Sequence, residues 1–357
     1  MFDPSTIACQ VLHNCDISDA THAGLYSICG LALRLRDLYK WENGLQPWEE
    51  KESAEVLEWI GAKEEAWEQL TEQDYDPISI LGKTYDPFDT TGINAALGTH
   101  GLFYGAGYAR SLKPTFFLAL IEERRVIDRH PIYILGRELA RDLLTLPALS
   151  QNNGILLRRE AARLFIWDKL FYLKKSGRRA LQFALAHCGI HDCETSTLRQ
   201  HLNAIVQVQQ NTYIFHEVGE MRDTVFDRSL WREIIGTFPH TPVEMLVRAV
   251  KDLLADTNEF GSLRSIIRER RAAALGLYVA FVDGLPKELF PEITASFGEF
   301  MRTGDWQIVE RAVEAGYQTA KHHAEVILDI FRTGKLKGDD AWIEREIGSQ
   351  LLEKLIR

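Results

Sequence analysis

Thr115-Phe-Phe-Leu-Ala-Leu-Ile121 and Pro131-Ile-Tyr-Ile-Leu135 are the two runs on which the fold turns. Both are apolar and rich in β-branched or aromatic residues, and the charged stretch Glu122 to His130 separates them. This pattern predicts a two-stranded antiparallel hairpin. A lone hairpin is marginal in water, so it must pack on helices. Upstream, Asp76-Pro77, Asp86-Pro87, Gly92, Gly98, Gly101, Gly105 and Gly107 interrupt any long element and predict a loop with one or two helical turns over 76–113. Downstream, Gly136 closes the hairpin, and Arg137-Glu-Leu-Ala-Arg-Asp-Leu-Leu144 resumes a helical pattern.

Elsewhere apolar residues recur at helical spacing. Asp3-Pro4 opens a short helix, and Leu25, Ile28, Leu31, Leu35 and Leu38 mark the buried side of a second that Gly44 ends. Pro47 stands where a first helical turn accepts proline, and a third helix is expected to about Gln73. From Ile155 onward helices follow one another through short turns; Thr241-Pro242-Val243-Glu244 is a capping box with proline at the first position. The expected fold is mainly α, with helical bundle-like domains and one small antiparallel β-hairpin near 115–135. Gly189 and the polar run His191–Thr197 place a boundary near 190. That gives an N-terminal helical domain with the hairpin (1–190) and an all-helical C-terminal domain (191–357).

Leu31-Ala-Leu-Arg-Leu-Arg-Asp-Leu-Tyr-Lys-Trp-Glu-Asn-Gly-Leu-Gln-Pro-Trp48 and Gly136-Arg-Glu-Leu-Ala-Arg-Asp-Leu-Leu144 are similar to segments of a family of bacterial proteins of unknown function. The resemblance implies a bacterial, cytoplasmic origin and no particular activity.

The formal charge of -10 argues against a global attraction to nucleic acid or to an anionic membrane. Arg and Lys interrupt every long helix candidate, so no membrane span is expected. The start, Met1-Phe-Asp-Pro-Ser, lacks the pattern of a secretory signal. Five cysteines, an odd number in a long chain, point to reduced thiols in a cytoplasm.

The densest collection of chemically capable groups is Tyr213-Ile-Phe-His216-Glu217-Val-Gly-Glu220-Met-Arg-Asp223. Ile214, Val218, Met221 and Val225 make its apolar stripe. Opposite them, His216, Glu220, Asp223 and Asp227 follow at steps of four, three and four. A second helix presents Gln318, His322, Glu325 and Asp329 opposite its own apolar side. If the two faced each other, His216, Glu220, Asp223, His322 and Glu325 are candidate ligands of a divalent metal, with Glu217 or Glu220 as general base. Charged stripes opposite apolar ones are usually solvated, and neither Glu-x-x-His nor His-Glu-x-x-His occurs.

His187-Cys188-Gly-Ile-His191-Asp192-Cys193 has zinc-ligand residue types without zinc-ligand spacing. In the N-terminal group Cys9, His13, Cys15, His22 and Cys29, Cys9 and His13 share a helix face, and nothing supplies a fixed ligand geometry. No Cys–His pair has a readable third partner, so buried thiols are expected there. Arg158, Arg159 and Arg163 head a basic segment, 158–179, interleaved with Phe165, Trp167, Phe171 and Tyr172. They are candidates for RNA or phosphate-ligand binding, against internal pairing with acids. Residues 41–76 hold Trp41, Trp48, Trp59 and Trp67 beside Glu49, Glu50, Glu52, Glu55, Glu58, Glu64, Glu65 and Glu68. Without a specific catalytic motif, the leading expectation is a helical binding or scaffold protein. Its partner would be another protein or a second copy of itself, docked on that tryptophan-rich acidic segment.

Overall fold

The computed structural model describes residues 2–356. The chain divides into two compact units, Met1–Asp168 and Lys169–Arg357.

The first unit opens with α1 (Pro4–His22), α2 (Ile28–Glu42) and α3 (Ser53–Glu68), then β1 (Ile78–Ile80), β2 (Lys83–Tyr85) and α4 (Thr90–Leu97). Five strands follow: β3 (Leu102–Tyr108), β4 (Pro114–Ile127), β5 (His130–Arg141), β6 (Ala148–Gln151) and β7 (Gly154–Arg158). They form one mixed sheet in the order β3-β4-β5-β7-β6. The β5–β7 pair is parallel and the other pairs are antiparallel. β1 and β2 make a separate two-stranded ribbon.

This overturns the expected mainly helical bundle with one hairpin near 115–135. The hairpin exists, but its strands run the full lengths of β4 and β5. Only Asp128 and Arg129, both at positive φ, turn between them. Paired left-handed residues are the geometry of a tight hairpin turn. Asn152 and Asn153 repeat the device between β6 and β7. The glycine-rich run read as loop is β3. Gly105 is required there because an added Cβ would lie 2.0 Å from the Phe117 ring on β4. A glycine inside a strand can thus mark a close approach.

The sheet is buried on both faces. Leu102, Tyr104, Phe116, Leu118 and Ala140 pack with Ile7, Val11 and Cys15 of α1 and Ile93 of α4. Phe103, Phe117, Ala119, Leu135 and Leu156 form a core on the other face. Each large side chain so buried contributes about 1.5–3 kcal/mol.

α5 (Arg159–Phe171) leads into the second unit, whose described elements are helices. They are α6 (Arg178–His187), α7 (Thr195–Arg222), α8 (Arg228–Thr237), α9 (Pro242–Thr257), α10 (Ser262–Arg268), α11 (Ala272–Phe281), α12 (Gly284–Leu289), α13 (Pro291–Thr303), α14 (Trp306–Lys337), α15 (Asp340–Ile347) and α16 (Glu353–Ile356). At the start of α9 Thr241 Oγ1 accepts from the Glu244 N–H (3.3 Å), as the capping box requires, while Glu244 Oε2 reaches one residue further and accepts from the His240 N–H (2.9 Å). Among the described residues no helix is long and apolar enough to cross a membrane.

Candidate functional site

α7 does not offer its charged side to water. Glu217 is buried, and His216 and Glu220 are half-buried. The reason is the close packing of α7 on α9. A Cβ at Gly219 would stand 2.0 Å from the Ala255 carbonyl oxygen. This approach brings α9 residues onto the α7 charges.

His216 Nδ1 lies 2.9 Å from Asp256 Oδ1, and its Nε2 lies 4.0 Å from Asp252 Oδ1. Asp256 also accepts from Ser262 Oγ at 2.6 Å and from Tyr278 Oη at 2.9 Å. One carboxylate therefore ties α7, α9, α10 and α11 together. Glu220 pairs with Lys251, whose Nζ sits 4.3 Å from the centre of the Trp231 ring. Burial opposes a charge on His216, but the Asp256 carboxylate outweighs it and the ring is pushed up to about 10 from 6.5. His216 is thus an imidazolium at neutral pH, with both ring nitrogens facing carboxylates.

A group raised in the folded state stabilises fully below its unfolded pKa and loses that contribution as pH rises through its folded pKa. The His216 contribution is therefore expected to be whole below about 6.5 and to fade as pH climbs towards about 10. Urea midpoints across that range should converge for the native chain and His216→Gln at the alkaline end and separate at the acid end. A constant separation would contradict the pairing.

Ligand atoms of His216, Glu217 and Glu220 lie within 4.8 Å of one another. These three could hold a cation only if Lys251 released Glu220 and His216 lost its proton. Among the described residues, Asp223, His322 and Glu325 do not belong to that group. Asp223 accepts from the Val225 and Phe226 N–H groups and lines a separate cleft of about 250 Å³ with Arg222, Phe260, Arg264 and Tyr317. His322 and Glu325 are on the exposed side of α14. That helix packs on α9, α10 and α13, whereas α7 packs on α9, α10 and α11. Glu314 and Tyr317 of α14 reach the cleft at the C-terminal end of α7, and His322 and Glu325 are not among its lining residues.

The basic candidates engage partners within the first unit. Arg158 is buried, donating through Nε to Glu138 Oε1 at 2.6 Å and lying 4.2 Å from the Phe117 ring centre. Arg159 pairs with Glu122, and Arg163 donates to Gln46 Oε1 at 2.7 Å. At 187–193, His187 Nδ1 bonds to Phe183 O at 2.9 Å, and Asp192 accepts from the Glu194 N–H.

Two buried ion clusters went unread in the sequence. Lys113 sits between Asp19 and Asp142, and Glu138 sits beside Arg141 and Arg158. Glu138 and Arg141 fall in Arg137–Leu144, where the polar pattern mimics a helix surface. Lys251, Asp252 and Asp256 also went unread; the last two, at helical spacing, were the available signal.

The fold and site define a two-part protein, a mixed α/β unit followed by a helical unit, with charge networks inside both. Family comparison divides the chain similarly. The N-terminal domain model of a family of unknown function, DUF6866, matches residues 6–158. The C-terminal domain model of the same family matches residues 163–350. The chain belongs to this family. Comparison with curated proteins and with solved structures gave no match.

Proposed function

We propose that the protein works as a binding protein in the cytoplasm, and that the outer side of α3 receives a basic segment of another protein. One observation carries this reading: Trp67 is the one buried residue among the sixteen of α3. A helix of this length is marginal by itself in water and normally draws stability from a buried face. The inner side makes modest contacts through Trp59 and Ile60. The outer side presents Leu57, 65% exposed, among exposed Glu58, Glu64, Glu65 and Glu68.

An apolar side chain within a carboxylate field suits a partner carrying a leucine-like residue between lysines or arginines. Charge complementarity of this kind steers association and selects partners. A second copy would bring the same acids against themselves, so a basic partner is favoured. All five thiols are free, which supports a reducing compartment.

A photo-crosslinking residue at position 57, irradiated in cells, should trap a discrete adduct with a lysine- or arginine-rich peptide. The same residue at Val126, also exposed, should not. Equal labelling at both positions would dismiss the α3 face as a docking site.

A further inference from the structure

The structure supplies the third partner that no Cys–His pair showed in the sequence. Cys9 is exposed on α1, unlike Cys15, which is buried. Cys9, Gln10 and His13 line one side of an open groove of about 500 Å³, and Asp76 and Pro77 line the other. His13 Nε2 lies 3.4 Å from Asp76 Oδ2.

Asp76 is held in place by two side-chain amides of α1. Buried Asn14 accepts from the Asp76 N–H and donates to the Asp76 carbonyl, both at 2.8 Å. One turn earlier, Gln10 accepts from the Ser79 N–H at 2.8 Å and donates to the Ser79 carbonyl at 3.3 Å. The backbone from Asp76 to Ser79 is therefore fixed against the helix, which places the Asp76 side chain beside His13.

Helical side chains lean towards the N-terminus, so the His13 ring leans back over the turn that carries Cys9. Residues four apart have Cβ atoms about 5–6 Å from each other. With Nε2 engaged by Asp76, Nδ1 is the nitrogen left for the thiol. A nucleophile, a base one step away and a carboxylate orienting that base are the parts of an activated nucleophile.

We infer that Cys9 and His13 form a nucleophilic thiol centre, with Asp76 as a positioning residue, that accepts acyl groups from esters or thioesters reaching the open groove. His13 Nδ1 takes the Cys9 proton as Sγ bonds to the substrate carbonyl carbon. The bond to the leaving oxygen or sulfur breaks, and that atom takes the proton from His13. Water, giving a proton to the same nitrogen, then cleaves the thioester, returns the thiol and releases the carboxylic acid.

The test uses the full chain, with Cys29 as an internal control. Cys29 is also exposed, and no His, Asp or Glu lies within four positions of it. Iodoacetamide labelling at neutral pH, read peptide by peptide, should alkylate Cys9 at least ~10-fold faster than Cys29, because His13 takes the thiol proton as Sγ attacks. His13→Gln should return Cys9 to the rate and pH profile of Cys29, and Asp76→Asn should move it part of the way. p-Nitrophenyl acetate should give a burst of about one equivalent, with the acetyl group on the Cys9 peptide. Equal rates for Cys9 and Cys29 in the unmodified chain would overturn the centre without recourse to any variant. Fast alkylation without acetylation would overturn the acyl-transfer assignment.

Discussion

Lys113→Met is expected to cost about 3–5 kcal/mol, the range found when one partner of a buried ion group is removed. Lys113 is 2% exposed, and its Nζ lies 2.9 Å from Asp19 Oδ1 and 3.1 Å from Asp142 Oδ2. It also donates to Ser18 Oγ at 3.0 Å and to the Pro114 carbonyl at 3.1 Å. Burial opposes its charge, but the Asp142 and Asp19 carboxylates more than offset this and hold it protonated. Methionine fills a similar space and leaves two carboxylates facing each other without a cation. A loss of this size is a large part of the 5–15 kcal/mol typical of a whole domain. Urea unfolding followed by tryptophan fluorescence measures it. Adding Asp19→Asn and Asp142→Asn should recover part of the loss, because the uncompensated charges go with the carboxylates. A loss below about 1 kcal/mol would mean that water reaches the cluster and pairs its charges instead.

Gly219→Ala should cost about 3 kcal/mol, although alanine is ordinarily the better helix former by about 1 kcal/mol. The added Cβ would meet the Ala255 carbonyl oxygen at 2.0 Å, its carbonyl carbon at 2.9 Å and Gly261 Cα at 3.1 Å. These are backbone atoms of neighbouring segments, so no rotamer change relieves the clash. Moving α7 away would also stretch the His216–Asp256 bond. Gly61→Ala on α3 and Gly298→Ala on α13 provide the controls. Neither has an atom within 4 Å of the built Cβ, so each should stabilise by about 0.5–1 kcal/mol. The sign difference between position 219 and the two controls, measured by equilibrium unfolding, reports the closeness of α7 and α9 separately from helix propensity.

The helices of the second unit were legible because their apolar residues keep helical spacing and their ends carry local signals, such as Thr241 and Glu244. The sheet was less legible for three physical reasons. Its faces are both buried, so β4 has no simple polar alternation. Its glycines serve packing rather than turning, as Gly105 does under Phe117. Its inner strand carries buried charges, Glu138 and Arg141, that resemble a helix surface. The site followed the same logic. His216, Glu217 and Glu220 could be read because one helix holds them all, but the α9 side chains that occupy them follow from a close approach at Gly219. Asp76 could not be linked to His13 by spacing, since Asn14 and Gln10 make that link through tertiary hydrogen bonds.

The proposal that α3 is covered by a basic partner is tested most directly by the native mass of the protein in gently lysed cells, compared with Leu57→Asp/Glu58→Lys/Glu65→Lys. These are exposed positions, where substitution should leave stability nearly unchanged. The account predicts that the unaltered chain travels in an assembly heavier than its own 40.8 kDa and shifts towards that mass as salt is raised. The triple variant should travel near the lone-chain mass at every salt concentration. Identical masses for the two, at low and high salt alike, would contradict it.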